Sequence, residues 1–165
     1  MARVAESELQ QLAAQVGTKL LARGWMVATA ESCTGGWVGQ LLTSLPGSSA
    51  WYERGFITYA NAAKIEMLGV PTATLETFGA VSEEAACAMA TGALAHSHAQ
   101  AGLAITGIAG PSGGTPQKPV GMVCYGWAFT DGTLLSSNCR LSGDREEIRS
   151  RAVAAALRGL IELFG

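Results

Sequence analysis

The sequence WMVATAESCTGGW, residues 25–37, carries three kinds of local pattern in succession. Residues 25–30 are mostly apolar and lack the spacing of an amphipathic helix, which predicts a buried β-strand. Residues 31–36 combine small polar side chains with two glycines, which is typical of a tight turn. A helix is predicted over residues 37–44, and the Pro46-Gly47 pair then stops it. A strand, a turn and a helix in this order form the building unit of α/β proteins.

The flanking sequence continues this alternation of helices and strands. Helical spacing predicts helices over about residues 7–24, 62–68, 72–78, 82–98 and 144–163. Strands are predicted over about residues 56–59, 103–106, 122–129 and 134–141, the last two as a hairpin around Asp131-Gly132. The predicted helix caps are Ser7 with Gln10, Ser82, and Asp144 with Glu147. This order of elements predicts a single α/β domain, residues 1–165, with helices on both faces of a mixed sheet.

The composition is short of charge and rich in glycine. Charged residues make up 15% of the chain, against roughly 25% in an average soluble domain. The 21 glycines show no period of three, which excludes a collagen-like chain. A net charge of −2 provides no basic surface for nucleic acid. Apolar residues at 48% supply enough side chains for a core and exclude a disordered chain.

The four cysteines do not form a recognisable metal or redox motif. They are Cys33, Cys87, Cys124 and Cys139. None is part of a Cys-x-x-Cys pair, so neither a zinc site nor a disulfide framework is indicated. We therefore expect small core residues in a reducing compartment.

One uncharged stretch resembles a membrane span at first sight. Residues 85–117 contain no Asp, Glu, Lys or Arg. His96, His98 and Gln100 interrupt this stretch, so a buried helix, a strand and a loop are the better interpretation. Near the N-terminus, Glu6 and Glu8 stand where a secretory signal would need an apolar segment. We expect a cytoplasmic protein with no membrane partner.

Three loops combine glycine with hydroxyl side chains: residues 31–36, 46–49 and 107–114. The first follows a strand and opens a helix, where free N–H groups can bind an anion. It is neither a Walker A loop nor a dinucleotide-binding fingerprint, because Gly-Lys-Ser/Thr and Gly-x-Gly-x-x-Gly are both absent. The alternative is a strand-to-helix turn with no ligand.

A general base is hard to find among the histidines. His96 and His98 lie two residues apart on one predicted helix, so they point to different faces. This argues against a Ser-His-Asp triad. Lys64 follows a predicted strand, and a lysine in a desolvated site can act as a base for a serine such as Ser48 or Ser49. The alternative is a surface lysine beside Glu66.

Arg145 stands beside a predicted helix start, in Ser142-Gly143-Asp144-Arg145. A cation there is mildly repelled by the helix dipole. Binding of an anionic ligand would compensate for that repulsion, although Asp144 also offers a local partner.

Seven short motifs occur in order along the chain. They are Ala30-Glu31-Ser32-Cys33-Thr34-Gly35-Gly36, Gly47-Ser48-Ser49, Tyr59-Ala60-Asn61-Ala62-Ala63-Lys64, Gly79-Ala80-Val81-Ser82, Gly107-Ile108-Ala109-Gly110-Pro111, Lys118-Pro119-Val120-Gly121 and Ser142-Gly143-Asp144-Arg145. In these motifs the chain resembles the CinA C-terminal domain family, the bacterial nicotinamide-nucleotide amidases. The resemblance covers about residues 5–163. Ala60 is a departure, because the family often has serine there.

The resemblance implies a three-layer α/β/α sandwich that needs no metal and no cofactor. The implied reaction converts nicotinamide mononucleotide and water to nicotinate mononucleotide and ammonia, in pyridine nucleotide recycling. The implied partner is this small nucleotide substrate, with no nucleic acid or membrane. Exposed apolar helix faces would also allow a homodimer.

The resemblance further implies a serine–lysine pair. Ser48 is the expected nucleophile and Lys64 its base, with Ser32 as the alternative nucleophile and Tyr59 as a residue that orients the lysine or binds the oxyanion. The turn at residues 32–36 or the loop at 107–114 would bind the phosphate, assisted by Arg145. The residues expected to bind substrate are Glu31, Ser32, Thr34, Gly35, Gly36, Ser49, Asn61, Thr106, Gly107, Gly110 and Arg145.

Two other functions fit the same residues. The serine–lysine pair would also serve an amidase for a different amide. A nucleotide-binding or regulatory module without catalysis would need the loops and Arg145 but not the pair. The joint presence of Ser48, Lys64 and Arg145 favours the enzyme.

Overall fold

The computed structural model describes residues 3–165, which form six helices and five strands. The helices are α1 (Glu6–Arg23), α2 (Trp37–Thr43), α3 (Asn61–Leu68), α4 (Thr72–Phe78), α5 (Glu83–Ala95) and α6 (Arg145–Leu163). The strands are β1 (Val27–Glu31), β2 (Tyr52–Ile57), β3 (Ala101–Gly107), β4 (Met122–Phe129) and β5 (Leu134–Arg140). The strand order is β2-β1-β3-β4-β5. Strand β1 runs parallel to both β2 and β3, whereas β4 and β5 are antiparallel, so the sheet is mixed.

Helices cover both faces of the sheet, which confirms the predicted α/β/α sandwich. Helices α1, α2 and α6 pack on one face against side chains such as Leu103 and Ile105. Helices α3 and α5 pack on the other, where the sheet presents small side chains such as Ala104. At Gly102 and Gly126 an added Cβ would lie 2.6 and 2.4 Å from main-chain oxygens of α5. The alanine-rich helix therefore lies unusually close to the sheet.

The hairpin and two of the helix caps are confirmed. Strands β4 and β5 flank the Asp131-Gly132 turn, and Ser82 caps α5 through the N–H of Ala85. Asp144 and Glu147 form a full capping box at the start of α6. The predicted box at Ser7 and Gln10 is wrong, because α1 begins at Glu6 with Ala5 as its cap residue.

Strand β2 begins four residues earlier than the sequence predicts. It covers Tyr52–Ile57 rather than residues 56–59. Its register against β1 runs from Val27↔Tyr52 to Glu31↔Ile57. Pairing with this buried neighbour therefore determines which residues belong to β2. As an edge strand it carries Glu53 and Arg54, which hides it from a search for apolar runs.

The uncharged stretch of residues 85–117 forms most of α5, then β3, then a loop, as predicted. In the described part of the chain, no helix has the length and apolarity needed to cross a bilayer. Within residues 3–165, no three or more His, Cys, Asp or Glu side chains are grouped so as to hold a metal ion.

The topology creates a crevice at the carboxyl end of β1. The chain leaves β1 through α2 on one face to reach β2, and it then passes through α3, α4 and α5 on the other face to reach β3. Strand order therefore reverses at β1, and such a switch point opens a crevice beyond the carboxyl ends of the strands. Ser32 is the first residue after β1.

Candidate active site

A cavity of about 340 Å³ lies beyond the carboxyl ends of the parallel strands. Its lining residues are Ser32, Cys33, Tyr59, Asn61, Lys64, Ala80, Val81, Thr106, Gly107, Ile108, Ala109, Gly110, Ser112, Gly113 and Arg145. Of the described residues, no aspartate or glutamate lines it, whereas Lys64 and Arg145 do. The cavity is therefore suited to an anionic ligand.

Ser32 and Lys64 form a hydrogen bond inside this cavity. The Lys64 Nζ donates to the Ser32 Oγ at 3.0 Å. Lys64 lies in the second turn of α3, and its side chain is 1% exposed. The surface position beside Glu66, which the sequence also allowed, is therefore wrong for this lysine.

Two main-chain carbonyls fix the orientation of the lysine amine. The Nζ donates to the carbonyl oxygens of Thr58 at 3.0 Å and Tyr59 at 3.1 Å. A neutral amine has two N–H bonds and one lone pair. If both N–H bonds go to these carbonyls, the lone pair is left for the hydroxyl proton of Ser32. The geometry thus suits proton transfer from serine to lysine.

Burial favours the neutral form of this lysine. Desolvation lowers the pKa of Lys64 from its ordinary value of 10.5, because a charged ammonium loses its hydration in the cavity wall. A base needs its free amine, so the lowered pKa and the serine contact support the same chemistry.

Cys33 lies next to Ser32 and also lines the cavity. Burial raises the pKa of Cys33 to about 12, because the thiolate would be desolvated. With this pKa, the Cys33 thiol is protonated near neutral pH. Because only the thiolate is a strong nucleophile, Cys33 is unreactive there.

The turn that carries Ser32 is held by the buried carboxylate of Glu31. One oxygen accepts the Thr34 hydroxyl at 2.6 Å and the Val38 N–H at 3.0 Å. The other accepts the Gly39 N–H at 3.0 Å. Glu31 therefore occupies the first N–H groups of α2, which the sequence analysis had offered to a phosphate.

The Gly35-Gly36 part of the turn faces away from the cavity. Both glycines adopt positive φ values, 61° and 102°, as a tight turn into α2 requires. They border a separate depression together with Thr34, Trp37 and Arg149. The expectation that this turn lines the binding site is therefore wrong for four residues, which shape the site without lining the cavity: Glu31, Thr34, Gly35 and Gly36.

Ser48 lies far from Lys64, so the expected pairing of these two residues is wrong. Ser48 and Ser49 form a short 3₁₀ turn before β2, at the amino end of that strand, and Lys64 follows its carboxyl end. Six residues of β2 span about 20 Å at roughly 3.3 Å per residue. Neither serine lines the cavity. The serine that meets Lys64 is the alternative one, Ser32.

Arg145 closes one side of the cavity. Its guanidinium donates to the Gly110 carbonyl at 2.8 Å and to the Tyr59 hydroxyl at 3.0 Å. The structure therefore brings Tyr59, Gly110 and Arg145 to one cavity, together with three more of the expected binding residues: Asn61, Thr106 and Gly107. Tyr59 contacts the lysine through its main chain, and its hydroxyl contacts Arg145.

Known proteins have a similar fold and a similar sequence. The sequence model described as the CinA C-terminal domain matches residues 9–164. The chain belongs to the CinA C-terminal domain family. The solved structure of the competence/damage inducible protein CihA from Agrobacterium tumefaciens superposes with a TM-score of 0.93 at 46% identity, and the match covers 99% of this chain and 98% of that one.

Two curated relatives in the CinA family carry a functional name. The protein from Escherichia coli strain K12 is 50% identical over 96% of each chain and is named nicotinamide-nucleotide amidohydrolase PncC. The protein of that name from Enterobacter agglomerans is 46% identical over 98% of each chain. Both relatives are therefore similar to this chain over nearly its whole length, including the segments that line the cavity.

The sequence analysis missed several residues that line this CinA-family cavity: Cys33, Ala80, Val81, Ile108, Ala109, Ser112 and Gly113. A signal for them was present. The family motifs quoted above contain all of them except Ser112 and Gly113, and those two belong to the glycine-rich loop of residues 107–114. Apart from the Cys33 thiol and the Ser112 hydroxyl, their small or apolar side chains carry no reactive group, so they do not stand out as candidates.

Proposed function

We propose that the chain is a nicotinamide-nucleotide amidohydrolase in which Ser32 is the nucleophile and Lys64 the base. The observation that carries the proposal is the 3.0 Å contact between the Ser32 Oγ and the buried amine of Lys64. This pair lies in a cavity that Arg145 also lines and that no described aspartate or glutamate lines, and the relatives named for the activity match nearly the whole chain.

In the proposed acylation step, the Ser32 Oγ attacks the carboxamide carbon of nicotinamide mononucleotide while Lys64 takes the serine proton. The resulting ammonium then donates a proton to the amide nitrogen as the carbon–nitrogen bond breaks. Ammonia leaves, and the nicotinoyl group remains bound to Ser32 as an ester. Lysine thus acts first as base and then as acid.

In the proposed deacylation step, water attacks the ester carbon and Lys64 takes one of its protons. The serine oxygen leaves, recovers a proton from Lys64 and releases nicotinate mononucleotide. The main-chain N–H of Cys33, which lines the cavity next to Ser32, is assigned to the negative oxygen of both tetrahedral intermediates. No step in this sequence needs a metal ion or a cofactor.

The substrate phosphate is assigned to the loop of residues 107–113 and Arg145. This loop and Arg145 line the same cavity as the nucleophile, whereas the Gly35-Gly36 turn borders a different depression. Arg145 uses two donor groups for Gly110 and Tyr59, and a guanidinium has five. The remaining N–H groups are available for a charge-assisted contact with phosphate.

Ammonia release from nicotinamide mononucleotide tests the proposal directly. We expect steady release by the unmodified protein, unchanged by EDTA. We expect kcat/KM for free nicotinamide, which lacks ribose and phosphate, to be lower by about 10²-fold or more, because remote binding energy supports the chemical step. Nucleotide binding without ammonia release would indicate a non-catalytic module. Equal rates on free nicotinamide would indicate an amidase for a different amide.

The pH profile should report the free amine of Lys64. Because burial lowers the pKa of Lys64 below 10.5, we expect kcat/KM to rise with pH and level off before that value. Below the lysine pKa the rate should fall about tenfold per pH unit, because only the neutral amine accepts the serine proton. Initial rates between about pH 5 and 10 measure this. A flat profile over that range, or an acidic optimum, would contradict the assignment of the base.

A further inference from the structure

We propose that Arg149 is a positioning residue for the nucleophile, an inference that rests on the proposed function. Arg149 does not line the cavity. Its Nε donates to the carbonyl oxygen of Cys33 at 3.0 Å, and a terminal nitrogen donates to the carbonyl oxygen of Thr34 at 3.0 Å. These are the two residues that follow Ser32, so one guanidinium holds the carbonyls of both residues after the nucleophile.

Holding two carbonyls fixes the direction of the adjacent N–H groups. In a trans peptide unit, the C=O of one residue and the N–H of the next point in opposite directions. By binding the Cys33 carbonyl, Arg149 therefore sets the direction of the Thr34 N–H on the other side of that peptide plane. This peptide plane directly follows Cys33, which lines the cavity beside Ser32, so its direction is coupled to that of the nucleophile. The planar fork of an arginine suits this double contact, whereas a lysine is a single flexible donor.

The turn that follows Ser32 is held by hydrogen bonds with both Glu31 and Arg149. The Thr34 hydroxyl donates to the Glu31 carboxylate at 2.6 Å, and the Thr34 carbonyl accepts from Arg149 at 3.0 Å. The Gly35 N–H also bonds back to the Ser32 carbonyl at 3.0 Å, which closes the turn. With these contacts in place, the Ser32 Oγ has little freedom to leave the Lys64 amine.

Arg149 itself is anchored by packing. Its guanidinium lies 5.4 Å from the ring centre of Trp37, the first residue of α2. Arg149 also lies one turn after Arg145 on the same face of α6. One face of this helix thus supplies Arg145 to the cavity and Arg149 to the back of the nucleophile turn, so α6 fixes the two relative to each other.

The test compares Arg149→Met with Arg158→Met. Arg158 lies on the same helix and forms an exposed ion pair with Glu8, so it is a matched control for losing an arginine from α6. For Arg149→Met we expect kcat to fall about 10²-fold with KM within about threefold, because a small displacement of a nucleophile has this cost. Arg158→Met should keep its kcat within about twofold.

Two further measurements separate positioning from a loss of folding. Circular dichroism gives the folded fraction of each variant, and kcat is expressed per folded molecule. In Arg149→Ala, added guanidinium ion at a non-denaturing concentration should restore part of kcat, and it should not do so in Arg158→Ala. Should Arg149→Met fail to fold, Arg149→Lys replaces it, because lysine keeps the charge and the stem but not the double contact.

The outcomes are distinguishable from those of the proposed function. If the unmodified protein releases no ammonia, the proposed function fails. If it does release ammonia and Arg149→Met or Arg149→Lys retains kcat per folded molecule as Arg158→Met does, the positioning role is overturned. A higher KM with kcat unchanged would also overturn the positioning role, because Arg149 would then contribute to substrate binding.

Discussion

Replacing Ser32 by alanine is expected to lower kcat for ammonia release by about 10⁴-fold or more, since removal of a nucleophile leaves only binding and oxyanion stabilisation. The Ser32 hydroxyl contacts the Lys64 amine at 3.0 Å and the Tyr59 carbonyl at 3.5 Å. Few stabilising contacts are lost with it, so we expect unfolding free energy to change by about 1 kcal/mol at most. Steady-state kinetics and urea unfolding on the same preparation measure both quantities.

Ser48→Ala is the matched control for this substitution. Both serines are nearly buried, at 8% exposure each, but Ser48 lies at the opposite end of β2 from the lysine. We expect its kcat to stay within about twofold of the unmodified protein. After chymotryptic cleavage at Trp37, which separates the two serines, a serine-directed fluorophosphonate should have added its mass to the peptide containing Ser32 and not to that containing Ser48. Loss of activity in Ser48→Ala with retention in Ser32→Ala would return the nucleophile to Ser48.

The position of Ser32 shows what the sequence lacked. The resemblance to the CinA family implied Ser48, which is also nearer to Lys64 along the chain. In the structure, β1 and β2 are parallel neighbours, so a residue after β1 meets residues that follow β2. A residue before β2 lies one strand length away. Had the edge strand at Tyr52–Ile57 been recognised, the topology alone would have selected Ser32.

The fold was more accessible than the site because its signals are local. The strand at Val27–Glu31 overlaps the mostly apolar run of residues 25–30, and the hairpin around Asp131-Gly132 has a strong turn sequence. Glu31 illustrates the opposite case. Its role depends on N–H groups of Val38 and Gly39, which only the completed turn brings to its carboxylate. Charge in a glycine loop indicates a ligand or an internal cap equally well.

Replacing Lys64 by methionine is expected to lower kcat/KM by about 10³-fold or more, because methionine fills a similar space without a base. Lys19→Met is the control, since Lys19 lies on α1 and contacts the carbonyl of Gly165; its activity should stay unchanged. Because serine and lysine act as one unit, the double variant Ser32→Ala with Lys64→Met should be no slower than the slower single variant. Additive losses in the double variant would show that Lys64 does not work through Ser32.

Lys64→Met also allows the protonation state of Lys64 to be tested without an activity measurement, through the pH dependence of the unfolding free energy. The pKa of Lys64 is lowered by burial in the folded chain, so between that pKa and the ordinary value the unfolded chain binds more protons. Stability therefore rises with pH across this range in the unmodified protein. Lys64→Met lacks this titration, so the unfolding free energy of the unmodified protein should gain on that of the variant as pH rises. Urea unfolding at several pH values below about 10 measures the difference. A difference that does not change with pH would mean that Lys64 titrates normally, and the argument for a neutral lysine base would fail even if the variant were inactive.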